Sequence, residues 1–211
     1  MKGKLLTRGT RLTALATLLS FAAQAESLID GDAEAGKAKS ITCAACHGTD
    51  GNSVNPEWPN LAGQGAPYLY VQLEAFKEGE RVNALMSSQA MLLSDQDMRD
   101  LAVYYEGLEA ASQTVADPKL VARAEALYRG GNLETDASAC SACHGPSGKG
   151  NPAAGYPALS GQHATYTAMQ LRAYASGERQ SLHVSKMMNT IAARLSEDEI
   201  VALASYVQGL R

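Results

Sequence analysis

Between residues 97 and 108 the chain sets Met98, Leu101, Ala102 and Tyr105 three and four positions apart, with charged and polar residues between them. That spacing draws an apolar stripe down one side of an α-helix. Ser94 followed by Asp97 reads as its capping box, in which the two residues satisfy each other's backbone N–H groups. The pattern returns in the second half: "LSDQDMRDLAVYYEGL" at 93–108 matches "LSEDEIVALASYVQGL" at 195–210, with Ser196 and Glu199 as the second capping box. Upstream, "YLYVQLEAFKEGER" at 68–81 matches "YTAMQLRAYASGER" at 166–179, and "PNLAGQ" at 59–64 matches "PALSGQ" at 157–162. Nowhere do apolar and polar residues alternate as in a half-buried strand. The segments 48–66 and 145–162 are rich in Gly, Pro, Asn and Ser and should be irregular. Asp117 before Pro118 supplies an N-cap and a first-turn proline. The expectation is an all-α chain of two tandem repeats, residues 26–112 and 113–211, joined near 109–119.

The first 25 residues stand apart. Lys2, Lys4, Arg8 and Arg11 precede an apolar stretch from Leu12 to Ala23, and Ala23-Gln24-Ala25 offers a small-residue cleavage site. These are the three parts of a secretory signal. The apolar run is short for a bilayer core of about 30 Å. The chain is therefore expected to be exported and to begin, when mature, near Glu26. Peripheral contact with the membrane stays open.

Export changes the charge. The whole chain carries −4. Losing four basic residues and no acidic ones brings it to −8, which argues against nucleic acid as a partner. Residues 26–112 hold 14 acidic and 5 basic side chains, whereas 113–211 hold 8 and 9. Such a dipole would let the two ends meet different proteins, the acidic one facing a basic surface.

Each repeat is small and poor in large apolar side chains, so something else should fill its core. All four cysteines lie in two copies of one hexapeptide, "CAACHG" at 43–48 and "CSACHG" at 140–145. A disulfide pair needs no following histidine. A four-cysteine zinc site would weld two repeats that each look complete. C-x-x-C-H is the signature of c-type haem attachment, and that reading uses the histidine. Cys43, Cys46, Cys140 and Cys143 would hold two haem c groups covalently, with His47 and His144 as proximal ligands to iron. Each haem would also supply the missing apolar core.

A second axial ligand is then needed in each repeat. Met86 and Met188 stand seven residues before Leu93 and Leu195, at equivalent positions, and no equivalent histidine competes. Met91, Met187 and His183 lie close enough to be alternatives, while His163 reads as a surface or helix-start residue. Histidine–methionine ligation saturates iron and raises its potential, as suits an electron-transfer centre. The carbonyls of Pro59 and Pro157 are candidates to accept the proton on the other imidazole nitrogen. Arg81 and Arg179, each in "GER", are candidates to neutralise a haem propionate.

Taken in order in both halves, the CxxCHG, P-x-L-x-GQ, QL…GER, loop methionine and LS-x-x-[DE]…Y motifs resemble dihaem cytochrome c4, over about residues 31–211. The resemblance implies two class I cytochrome c domains related by a pseudo-twofold axis. It implies His47/Met86 and His144/Met188 as axial pairs, and a periplasmic carrier rather than an enzyme. Electrons would arrive from a quinol-oxidising complex or a dehydrogenase and pass toward a haem-copper terminal oxidase. The alternatives are an electron-accepting subunit of a dehydrogenase and a dihaem peroxidase, which would need an open iron position. The segments 129–139 and 179–188 are longer than their counterparts and depart from the pattern.

Overall fold

The computed structural model describes residues 27–180 and 185–211; the leader segment and His183 lie outside them. The first half holds α1 (Ala33–Lys39), α2 (Ala44–His47), α3 (Ala66–Glu78), α4 (Ala84–Ala90) and α5 (Asp95–Glu106). The second repeats the order with α6 (Val121–Gly130), α7 (Ser141–His144), α8 (Ala164–Ser176), α9 (Ser185–Ala192) and α10 (Glu197–Gln208). Two isolated bridges, Asn132 with Ala137 and Asn151 with Tyr156, are the β pairings among the described residues.

The last helix of each half is the one the others lean on. In the first half α1 and α3 pack on α5; in the second α6 and α8 pack on α10. Both capping boxes form. The Ser94 hydroxyl accepts from the Asp97 amide while the Asp97 carboxylate accepts from the Ser94 amide, and Ser196 and Glu199 do the same. Met98, Leu101, Ala102 and Tyr105 are all buried, as their spacing predicts. Against them α1 comes to backbone contact, because Gly36 carries no side chain: a Cβ there would lie 2.1 Å from the Asp100 carbonyl oxygen. In the second half Ala124, Tyr128, Leu203, Tyr206 and Val207 form the corresponding core.

The irregular segments are as expected, apart from a 3-10 turn at Pro152–Ala154. Asp117 caps a second such turn at Pro118–Leu120, its carboxylate accepting from the Lys119 amide at 2.9 Å. The extra segment before Cys140 is a tight turn closed by Asn132 and Ala137. It is tied to α10 by Asn132 Nδ2 donating to Glu199 Oε1 at 2.7 Å.

The extended stretch between the halves is bonded to both. The Ala111 amide donates to Asn52 Oδ1 at 2.9 Å, and the Asp117 amide to Ser205 Oγ at 2.7 Å. His163 opens α8 as expected, but it is not a surface residue. Half-buried, it donates from Nε2 to the Ser53 carbonyl of the other half at 2.9 Å.

The domain faces meet with near-twofold reciprocity. Gln64 holds the backbone of Ala158 by both carboxamide atoms, and Gln162 holds that of Asn60 in the same way. Asn60 and Ala158 are equivalent in the repeat, as are the two glutamines. The two halves are thus related by a pseudo-twofold axis running through this contact.

Candidate haem sites

Each C-x-x-C-H unit is a single helical turn. The amide of His47 donates to the Cys43 carbonyl at 2.9 Å, and that of His144 to the Cys140 carbonyl at 2.9 Å. One turn puts the two cysteines of a motif on the same side, i and i+3, with the histidine directed inward next to them. Both imidazoles are buried, His47 at 4% and His144 at 6% exposure.

Their tautomer follows from their partners. His47 Nδ1 lies 2.9 Å from the Pro59 carbonyl and His144 Nδ1 lies 2.9 Å from the Pro157 carbonyl. A carbonyl only accepts, so Nδ1 carries the proton in both rings and Nε2 keeps its lone pair. Burial lowers the pKa of both histidines, opposed by these carbonyl bonds, and keeps the rings neutral. His47 Nε2 is buried without any hydrogen-bond partner. A buried lone pair left unsatisfied is costly unless a ligand takes it.

What lies beyond that nitrogen is a cavity of about 930 Å³ that runs through both halves. It is at the upper end of the roughly 300–1,000 Å³ typical of ligand pockets. All four cysteines, both C-x-x-C-H histidines, Met86 and Met188 line it. Leu69, Phe76 and Leu101 wall the first side, with Leu171, Ile191 and Leu203 on the second. The four thiols are free, and among the described residues no three His, Cys, Asp or Glu side chains cluster as a metal-ion site. This geometry disfavours the zinc and disulfide readings. It suits an apolar disc held by thioethers on one edge and met by a neutral imidazole.

Met86 sits on α4, whose start is set by Asn83 Oδ1 accepting from the amides of Leu85 at 3.1 Å and Met86 at 3.0 Å. Met188 sits on α9, which is pinned by its neighbour Asn189: Nδ2 donates to the carbonyls of Tyr174 at 2.6 Å and Arg179 at 3.0 Å. Both methionines are half-buried. Met91 is 68% exposed and off the cavity wall, which counts against it as a competitor. Met187 reaches the wall but is 46% exposed. Asn189 is a positioning residue that sequence reasoning missed, since the first repeat has Ser87 beside its methionine.

Arg81 and Arg179 leave their helix ends and enter the domain interface. Arg81 donates to Gln72 Oε1 at 2.7 Å, to Gln170 Oε1 at 2.9 Å and to the Tyr166 hydroxyl at 3.0 Å. Arg179 donates to Gln170 Oε1 at 2.8 Å, to Gln72 Oε1 at 2.7 Å and to the Tyr68 hydroxyl at 2.8 Å. Each guanidinium also lies over an aromatic ring of its own half, Phe76 or Tyr174, at 4.5 Å from the centroid. Among the described residues neither has a carboxylate partner. Arg179 is 5% exposed and its Nε has no partner. Two cations facing each other on neutral groups alone are an expensive arrangement. Both line the same cavity.

Comparison with known proteins agrees with this geometry. The family model for Cytochrome c matches twice, over residues 33–109 and 123–211. The chain is 49% identical over 180 residues to cytochrome c4 of Pseudomonas aeruginosa, covering 85% of this chain and 89% of that one. The crystal structure of reduced recombinant cytochrome c4 from Pseudomonas stutzeri superposes with a TM-score of 0.83 at 44% identity, covering 86% of this chain and all of that one. A thiosulfate dehydrogenase electron acceptor of Stutzerimonas stutzeri is 36% identical over 174 residues, covering 79% of this chain and 77% of that one. Two cytochrome c domains in one chain mean two covalent haem c groups, and the two cysteine pairs fit the C-x-x-C-H motif. The chain belongs to the cytochrome c family, in its dihaem cytochrome c4 branch, and is an electron-transfer protein rather than an enzyme.

Proposed function

We propose that this protein is a periplasmic carrier in a respiratory chain that takes electrons from a quinol-oxidising complex or a dehydrogenase and delivers them to a haem-copper terminal oxidase. Residues 26–112 and 113–211 act as its two haem domains. His47 with Met86, and His144 with Met188, are the axial pairs, and the four cysteines carry the thioether bonds. The observation that carries this reading is the convergence of all eight side chains on one cavity, with His47 Nε2 buried and unpartnered there.

When bound, each haem supplies one-electron chemistry at its iron. The residues do the rest. The Pro59 and Pro157 carbonyls fix the imidazole tautomer and raise its basicity. The apolar walls exclude water, which favours the less charged ferrous form and so raises the potential. Arg81 and Arg179 supply positive charge where propionates need it, which accounts for a buried and a half-buried guanidinium with no carboxylate partner among the described residues.

Export rests on the leader pattern, and no helix among the described residues is long and apolar enough to cross a membrane. A second role, as the electron-accepting subunit of a dehydrogenase and not a carrier to an oxidase, is favoured by the similarity to thiosulfate dehydrogenase electron acceptors. Stopped-flow oxidation of the reduced protein by a purified haem-copper oxidase tests the main reading. Rapid, saturable turnover supports it. Slow oxidation there, together with rapid reduction by a dehydrogenase, favours the second role.

A further inference from the structure

The two glutamines that join the domain faces touch the peptide units on which the proximal histidines rest. The Pro59–Asn60 peptide accepts from His47 Nδ1 at its carbonyl, 2.9 Å, and donates from its N–H to Gln162 Oε1, 2.9 Å. The Pro157–Ala158 peptide accepts from His144 Nδ1 at 2.9 Å and donates to Gln64 Oε1 at 2.8 Å. Gln162 Nε2 then returns to the Asn60 carbonyl at 2.9 Å, and Gln64 Nε2 to the Ala158 carbonyl at 3.0 Å. Each chain of bonds therefore runs from an imidazole in one half, across one peptide, to a carboxamide in the other. Gln64 is 6% exposed, so these bonds work in a poorly solvated setting.

A peptide that donates through its N–H becomes a better acceptor at its carbonyl, because the hydrogen bonds in a chain polarise one another. A stronger carbonyl acceptor draws the Nδ1 proton and makes the imidazole a more basic ligand. More basic ligation stabilises ferric over ferrous iron and lowers the reduction potential. We propose that Gln162 and Gln64 are crossed tuning residues: each sets the potential of the haem in the other half through the peptide beneath its proximal histidine. Domain contact is then part of the redox centre. Loosening the interface would raise both potentials without any change in the axial ligands.

The proposal rests on His47 and His144 being the proximal ligands, and the test separates the two claims. Holoprotein is prepared as Gln162→Met and Gln64→Met, which keep side-chain length and lose the hydrogen bonds. Gln162→Glu is the third variant, retaining an acceptor for the Asn60 amide. Two signals are read: the midpoint of each haem by potentiometric titration, and the His Nδ1 proton in the reduced, diamagnetic state by NMR. The expected pattern is crossed. Gln162→Met raises the first haem's midpoint and moves the His47 Nδ1 proton upfield, with the second haem little changed; Gln64→Met does the reverse. Gln162→Glu leaves the first midpoint at or below that of the parent protein. If the Nδ1 protons of both histidines show the haem ring-current shift but the variants move both haems equally, or only the haem of their own half, the crossed tuning is overturned and the ligand assignment stands. If those protons show no ring-current shift, both claims fall.

Discussion

Arg81 and Arg179, one from each half, donate to the same atom, Gln72 Oε1, each at 2.7 Å. Two cations sharing one neutral oxygen make sense only where further negative charge is close, and haem propionates fit that need. Arg179→Gln should lower the potential of at least one haem, because uncompensated propionate charge favours ferric iron. A tenfold change in the one-electron equilibrium corresponds to about 59 mV, which sets the scale. A potentiometric titration of the variant checks this; an unchanged or raised pair of midpoints would count against the propionate role.

Met86→Ala and Met188→Ala should each lower the potential of one haem and open it to carbon monoxide, leaving the other haem closed. Optical titration with carbon monoxide on the reduced variants reads this directly. In the second half, a Met188→Ala protein that stays closed while Met187→Ala opens would move the ligand by one residue.

The capping box of α5 predicts a pH dependence of stability. Hydrogen bonds from Lys39 and from Ser94 hold the Asp97 carboxyl down at about 2, from an ordinary value near 3.8. A depressed carboxyl stabilises the fold fully above its unfolded value and loses that contribution as pH falls toward the folded one. Asp97→Asn should therefore be less stable than the parent at pH 7, with the difference shrinking between about pH 4 and pH 2. Urea unfolding across that range tests it. Ser94→Ala and Ser196→Ala should each cost about 1 kcal/mol at neutral pH.

The acidic half should steer a basic partner, but not through Asp97 or Asp100 of α5. Asp100 is 4% exposed and accepts from the Asp32 amide at 2.9 Å, and Asp97 is spent on its cap. Reversing either would damage the fold. Glu78 and Glu80 are exposed and free for the purpose. Changing both to Lys should slow association with one partner, less so at high salt, and leave the other partner's rate nearly unchanged. Equal changes for both partners would rule out directional docking.

Much of this was legible in the sequence, because repetition exposes whatever each half must do alone. The C-x-x-C-H turns, the proline carbonyls that face them, both capping boxes and the stripe from Met98 to Tyr105 all act within a single repeat. What the pattern hid is the contact between repeats. Gln64 and Gln162 bond to main-chain atoms 94 and 102 residues away, and backbone acceptors leave no mark on residue type. Their trace is a repeated glutamine whose local role, accepting from the next amide at Gly65 or His163, gives no hint of the bonds across the interface. The second role of His163 is hidden for the same reason: it starts α8 as its position suggests, but its partner, Ser53, is in the other half.

The central claim is that both irons are held between a histidine and a methionine within one shared cavity. Near-infrared magnetic circular dichroism of the purified ferric protein, scaled to its haem content, reads the axial ligands of both centres together. The account predicts two haems per chain, each giving the histidine–methionine charge-transfer signature and neither giving any other. A bis-histidine or open-site signature from even one of the two haems would contradict it.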